Sequence, residues 1–399
     1  MPRLWHREIF RRSGRENFAK EESSLGFTVG LEVMLSNSLH KGERLGLITN
    51  HSGLDRHLDQ NLDLLRENDY WIGCLFAPEH GLYGDHPDGL AVPSLEHDAL
   101  QVYSLYGERT APSTDSLEGL ERLVFDIQDI GCRYYTYMST MVMSMEAAAK
   151  ASVPFTVLDR PNPLGGISVE GTLPAPGHLS FVCGANVAIR HGMTLGEIAR
   201  MVAAEKGLPE PEVVPMEGWR RSMYFEETGR PWVPTSPAAP SVEMALLYPG
   251  TCLIEGTSVS EGRGTATPFT IVGAPWIDGR RLASALRALE LPGVLIRPTF
   301  FTPSSQKHAG QQCQGVQFHV TDRHTLKPVE LGVKLLFVLR DTFPEFAVRE
   351  RPPGSHYSLD WLAGGPALRE ALVSGVSPDS LLSTWQKEAK EFENRRRRY

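Results

Sequence analysis

Four short apolar runs in the first 160 residues are each followed at once by side chains that can bind a ligand or move a proton. After LGLIT (45–49) come Asn50, His51 and Ser52, and after IGCLFA (72–77) come Pro78, Glu79, His80 and Gly81. After RLVFDI (122–127), which carries Asp126, come Gln128, Asp129, Gly131, Arg133, Tyr134 and Tyr135. After FTVLD (155–159), ending in Asp159, come Arg160, Pro161, Asn162 and Pro163. A further dense segment, YPGTCLIEGTSVSEGRGTATPF (248–269), holds Glu255, Glu261 and Arg263, the last between Gly262 and Gly264. Glycines there permit close backbone approach to a ligand, and a guanidinium offers a planar fork of donors suited to a carboxylate.

Each of these residues also has a plain structural role open to it. Asp159 can cap a turn or pair with Arg160, Asp126 can accept backbone N–H bonds, and His51 can be a satisfied loop histidine. Four consecutive run ends of this kind point more strongly to a shared site than any one of them does. Several chemistries leave no trace. There is no HExxH or HxxEH, no GxSxG and no GxxxxGK[ST]. What remains is carboxylate chemistry assisted by His, Tyr and Arg, which fits general acid–base cleavage of a glycosidic bond.

The elements that must position these groups can be read from the pattern. Short, strongly apolar runs are the signature of strands buried on both faces of a parallel sheet. Helical patterns lie between them at 61–68, 136–152 and from Thr194 to a C-capping Gly207. Alternating strands and helices predict a doubly wound α/β domain over 25–235, whose strand ends line one edge where ligands bind. The Pro- and Trp-rich stretch 209–240 reads as a crossing segment. A smaller α+β domain over 236–399 is predicted, with strand-like pieces TCLIEG, PFTIVGAP, GVLIRPTFF and GVQFHVTD around helices near 280–290, 328–343 and 377–393. Residues 1–24 read as a flexible extension, and the basic run 395–398 as a frayed tail.

The formal net charge is −8 from 40 Lys+Arg against 48 Asp+Glu, which argues against nucleic acid as partner. No apolar run long enough to span a membrane, about 18 residues, occurs. The five Cys form no CxxC pair, and a reducing, cytoplasmic setting is expected.

The strings LITNHSG, LFAPEHG, YSLYG, FDIQDIGCRYYTY, LDRPNPLGG, RHGMTLGEIA and YPGTCLIEGTSVSEGRGT, in this order, resemble the exo-β-N-acetylmuramidases of the NamZ type, long catalogued as a domain of unknown function. The resemblance runs from about Gly26 to the end. It implies a Rossmann-like first domain, a smaller second domain, a cleft between them, and release of terminal N-acetylmuramic acid from peptidoglycan-derived fragments. The glutamate of the family's PEHG string falls on Glu79, expected to be the general acid beside His80. The family's usual Asn in a PSPN-like string is replaced by Ala238. For the second carboxylate Asp126, Asp129 and Glu261 are candidates, Glu261 being favoured. The substrate's lactyl carboxylate needs a cation, for which Arg133, Arg160 and Arg263 are available and Arg263 is favoured. Asn50, His51, Gln128, Tyr134, Tyr135, Asp159, Asn162, His191 and Glu255 are expected to help bind the sugar. No cofactor or metal is expected. Rival readings are a hydrolase of a related acidic or acetamido sugar, a non-catalytic sugar-binding protein, and a metal-dependent hydrolase built on His51, His80 and His191.

Overall fold

A computed structural model describes residues 26–350 and 357–399, so the expectation for residues 1–24 lies outside the described residues. The first domain opens with α1 (Gly30–Ser36), β1 (Arg44–Thr49), α2 (Asn61–Glu67) and β2 (Trp71–Ala77). An edge hairpin, β3 (Leu95–His97) and β4 (Leu100–Ser104), follows, then the single turn α3 (Thr114–Leu117). The domain continues with β5 (Arg122–Asp126), α4 (Tyr137–Lys150), β6 (Phe155–Leu158), α5 (Leu195–Lys206) and β7 (Glu212–Val214). Its seven strands run β3-β4-β2-β1-β5-β6-β7, all parallel except the β3–β4 pair. Counting only the parallel strands, this is the doubly wound 3-2-1-4-5-6 order, with its switch point between β1 and β5.

Both faces of the sheet are dry. Leu45, Leu47, Val124 and Leu158 pack with Leu31 and Met34 of α1 and Leu62 and Leu65 of α2. Their neighbours Ile48, Leu123, Phe125 and Val157 pack with Met138, Met141 and Met145 of α4 and Ile198 and Val202 of α5. The methionine stripe of α4 is therefore core. α5 starts at a capping box of Thr194 and Glu197 and ends at Gly207, φ 66°. The short strands β3, β4 and β7 carry little apolar periodicity, and the sequence pattern does not announce them.

The second domain contains α6 (Val242–Thr251), β8 (Ile271–Ala274), α7 (Gly279–Arg287), β9 (Val294–Phe301), β10 (Cys313–Val320) and α8 (Pro328–Thr342). It closes with α9 (Ser358–Ala363), α10 (Ala367–Ser374) and α11 (Pro378–Arg396). Its sheet is antiparallel, in the order β8-β10-β9. TCLIEG, expected as a strand, is instead a 3₁₀ turn, Cys252–Gly256, continuing α6. Burial all round makes a short apolar run ambiguous between strand and helix, and α6 supplies the continuity that a strand would lack.

The apolar core on the α4 face continues without a break into the second domain, through Leu247, Ile254, Phe269, Val316, Leu335 and Trp385. The crossing segment also links the domains, since Tyr224 donates to the Arg323 carbonyl at 2.9 Å. The basic run is not a frayed tail. Arg395 donates to the Asn186 carbonyl, and the buried Arg396 donates to the carbonyls of His191, Gly192 and Ile167. Among the described residues no helix is long and apolar enough to cross a membrane.

α6 and α8 cross at Gly250 and Gly332. A Cβ on Gly332 would lie 2.3 Å from the Gly250 carbonyl oxygen, and one on Gly250 would lie 1.8 Å from that of Pro328. Because α6 leads directly into the turn bearing Glu255, this contact sets the depth of that carboxylate. Gly332→Ala should lower unfolding stability by about 1–3 kcal/mol, the usual cost of overpacking. Denaturant titration checks this, and an unchanged midpoint would contradict the close-packed crossing.

Candidate active-site cleft

Glu79 sits where β2 ends. After Pro78 the chain doubles back through His80 and Gly81, both with positive φ (71° and 77°), and the Gly81 amide donates to the Pro78 carbonyl. A non-glycine residue in this region is strained and is often found at functional sites. The turn leaves the Glu79 side chain buried (9% exposed), accepting from the Thr136 hydroxyl at 2.7 Å and from the Gly89 amide at 3.2 Å. His80 donates from Nδ1 to the His86 carbonyl at 2.8 Å, which leaves Nε2 3.7 Å from Asp88.

The opposite wall comes from the glycine-rich segment of the second domain. Ser260 is held to Gly273 of β8 by paired backbone bonds, and Phe269 donates to the Glu261 carbonyl. Gly262, φ 83°, passes so near Ile271 that a Cβ would lie 2.5 Å from its Cγ1. Glu261 is thereby fixed inward, 2% exposed, with Lys307 Nζ at 2.8 Å and Arg263 Nε at 3.7 Å. Arg263 turns Nε and Nη2 to Glu255 (2.9 and 2.7 Å) and Nη1 to Asp88 of the first domain, while its guanidinium lies 4.8 Å over the Phe269 ring. Burial lifts the Glu255 carboxyl above its ordinary range, opposed by Arg263. Tyr134, Tyr135, Tyr248 and Phe269 form an aromatic cluster with ring centroids 4.7–6.0 Å apart. The cavity between these walls measures about 370 Å³.

Of the residues singled out from sequence, Glu79, His80, Tyr134, Tyr135, Ala238, Glu255, Glu261 and Arg263 meet on this cavity. The others do not line it. Asp126 is wholly buried in a bidentate pair with Arg160 (2.6 and 3.0 Å), completed by Asn61 at 2.7 Å. Neither is free for chemistry or for a substrate carboxylate. Asp159 caps α5, accepting from Thr194 and Gly196. Arg133 is fully buried and donates to the carbonyls of Thr172, Val187 and Leu362, bracing the two domains. Asn162 pins Met193 and Leu164, and Gln128 pins Asp129 and Pro161 through backbone groups. Asn50 accepts from Ser52, and His51 donates to the Pro234 carbonyl. His191 is fully buried and accepts from the Met193 amide, and burial pushes its pKa down to about 3. The crevice left at the switch point, beside Ser52, Gln128 and Arg160, holds only about 30 Å³. It is too small for a sugar, so the cleft lies to one side, over the end of β2. Among the described residues no group of three or more His, Cys, Asp or Glu stands ready to hold a metal ion.

Asp88, Tyr106, Tyr248, Phe269, Lys307, Arg349 and Trp361 also line the cavity and were not foreseen. Tyr248 and Phe269 flank the glycine-rich string, and Asp88 follows PEHG closely, so proximity to the motifs was the available signal. Lys307 and Arg349 carried none.

Asp129 is buried behind Tyr135, with Oδ2 on the Gly131 amide and Oδ1 unpartnered, and burial raises its pKa to about 7. A carboxyl with a raised folded-state pKa takes up a proton on folding. Its stabilising contribution is present at acid pH and is lost as pH rises from about 4 through about 7. Asp129→Asn should therefore flatten this fall and raise stability at pH 8 by on the order of 1–3 kcal/mol. Unfolding midpoints measured across that window test it, and parallel curves for the two proteins would refute it.

The comparisons with known proteins agree with this architecture. Residues 45–243 match the model described as exo-β-N-acetylmuramidase NamZ, N-terminal, and residues 246–399 its C-terminal counterpart. The chain is 42% identical over 363 residues to the peptidoglycan β-N-acetylmuramidase NamZ of Bacillus subtilis strain 168, covering 90% of this chain and 87% of that one. Two DUF1343 family proteins of Bacteroides fragilis have similar structures. One has a TM-score of 0.85 at 34% identity and the other 0.71 at 29%, each match covering 94% of this chain and 98% of the other. With the seven-stranded sheet, the second domain and the Glu79 turn in place, the chain belongs to the NamZ family of exo-β-N-acetylmuramidases.

Proposed function

We propose that this chain is an exo-acting glycoside hydrolase that releases terminal N-acetylmuramic acid from peptidoglycan-derived fragments. The observation that carries this reading is a buried carboxyl, Glu79, sharing an aromatic-lined cavity with a second buried carboxyl, Glu261, on the opposing domain. Two carboxyl groups flanking one bond are what glycoside hydrolysis needs. A cavity of about 370 Å³, at the small end of ligand pockets, suits a chain end better than the middle of a glycan.

In this reading Glu79 gives its proton to the departing glycosidic oxygen. Thr136 and the Gly89 amide hold its carboxyl oxygens in place. Glu261, ion-paired with Lys307, supplies the second carboxylate for the positive charge that grows at the anomeric carbon, where water adds and its released proton restores the acid. Tyr134, Tyr135, Tyr248 and Phe269 give the apolar face of the sugar a surface to rest on. The five free, buried cysteines support a reducing, cytoplasmic setting, and the net charge of −8 supports a small soluble substrate over nucleic acid.

Turnover of a chromogenic N-acetylmuramic acid glycoside tests the reading. Glu79→Gln should lose roughly 10²–10⁴-fold in kcat while keeping its fold. Glu261→Gln should also lower kcat. A wild-type protein that binds the glycoside without cleaving it would make the chain a sugar-binding protein. A Glu79→Gln protein of near-normal rate would remove the acid.

A further inference from the structure

We infer that Arg349 is the residue that selects the substrate's lactyl carboxylate, an assignment that rests on the muramidase reading above. N-acetylmuramic acid differs from N-acetylglucosamine by that ether-linked carboxylate, so selection requires a cation able to accept a new anion. The cavity wall carries three Lys or Arg residues, Arg263, Lys307 and Arg349. Arg263 is already saturated, with Nη1 on Asp88 and Nε and Nη2 on Glu255, and Glu261 close by. A substrate carboxylate could reach it only by expelling a carboxylate from a largely buried site. Lys307 is engaged by Glu261 and by the carbonyls of Ile254, Glu255, Thr257 and Val259. Among the described residues no carboxylate is supplied to Arg349, whose side chain lines the cavity from an exposed position.

The charge balance points the same way. The wall bears four carboxyl groups, Glu79, Asp88, Glu255 and Glu261, and two of its three cations are committed to them. With Glu79 holding its proton, the remaining carboxyls Asp88, Glu255 and Glu261 are answered by Arg263 and Lys307, and Arg349 is the cation not committed to them. Nor is Arg349 a loosely hung surface residue. Its amide donates to the Gly256 carbonyl at 2.8 Å, Val348 bridges Thr257, and Ala347 exchanges bonds with Ser258. Its backbone is thus stitched to Gly256, at the end of the turn that carries Glu255, and its neighbours to the chain just after it. The register holds the root of the side chain at the cavity edge, and no carboxylate among the described residues pairs with the fork, which can meet a substrate carboxylate in two-point contact. Because the group stays partly hydrated, its contribution falls between that of an exposed pair and a buried one.

The test uses the full chain. The measurements are kcat and KM on the chromogenic muramic acid glycoside, and competitive inhibition by free N-acetylmuramic acid and by N-acetylglucosamine. Arg349→Ala should raise KM and the muramic acid inhibition constant roughly tenfold, keep kcat within about threefold, and leave N-acetylglucosamine inhibition unchanged. Arg349→Lys should recover part of the loss. Added salt should erode the preference of the wild type but not that of the alanine variant. Equal changes for both sugars would make Arg349 structural and overturn the assignment. So would an unchanged preference in Arg349→Ala accompanied by tighter muramic acid binding in Asp88→Asn, which would place the reader at Arg263. Calorimetric titration of the wild type and Arg349→Ala with the two free sugars gives the same comparison if the wild type proves not to cleave the glycoside, so loss of the hydrolase reading and loss of this one are separable.

Discussion

The Arg160 guanidinium, clamped on Asp126 at the carboxyl edge of the parallel sheet, decides where everything else can go. In a doubly wound sheet the switch point between β1 and β5 is the ordinary ligand crevice. Here Arg160, Asp126, Asn61 and Thr49 fill it with the protein's own hydrogen bonds. Removing two charges from water is costly, and the pair persists because each oxygen and most donors are satisfied, including Arg160 Nη1 on the Leu54 carbonyl. Breaking such a pair costs about 3–5 kcal/mol, since the survivor is left buried and uncompensated. With the crevice occupied, the open volume moves to the end of β2, and the second domain must supply the far wall.

That wall is electrostatically dense. Carboxylates from both domains converge on Arg263, and Lys307 answers Glu261 from another direction. Because Asp88 belongs to the first domain and Arg263 to the second, their ion pair ties the two walls of the cavity together. In a partly dehydrated cavity such charges interact more strongly than they would in water. The aromatic cluster of Tyr134, Tyr135, Tyr248 and Phe269 lines the same cavity as these charges.

Much of this was legible in the sequence, and the failures have physical causes. The runs that became β1, β2, β5 and β6 are apolar on both faces, so they announce themselves. β3, β4 and β7 are short edge pieces whose formation depends on neighbours. Glu79 and Glu261 could be found because they stand in glycine- and histidine-rich turns. Asp126, Asp159, Arg133, Arg160, Asn162 and His191 stand in equally suggestive strings, yet they hold loops rather than substrate. Residue type and strand-end position are identical for a side chain that caps a helix and one that faces a ligand. Only the partner distinguishes them, and the partners lie far away in sequence: Arg133 ends on Leu362, and Arg160 on Asp126. Lys307 and Arg349 were illegible for the converse reason, since their surroundings assemble only in the folded chain.

The anchoring of Arg396 bears on how the molecule assembles. Its bond to the Ile167 carbonyl joins positions 229 residues apart, and those to His191 and Gly192 span more than two hundred. Closing so long a loop carries an entropic cost that no local structure offsets, and contacts of such separation slow folding. The carbonyls at 167 and 191–192 therefore find this partner only where α11 lies across them. The docked arginine thus fastens the chain's last helix back onto the first domain, and the two domains are held together although they are built on two separate sheets.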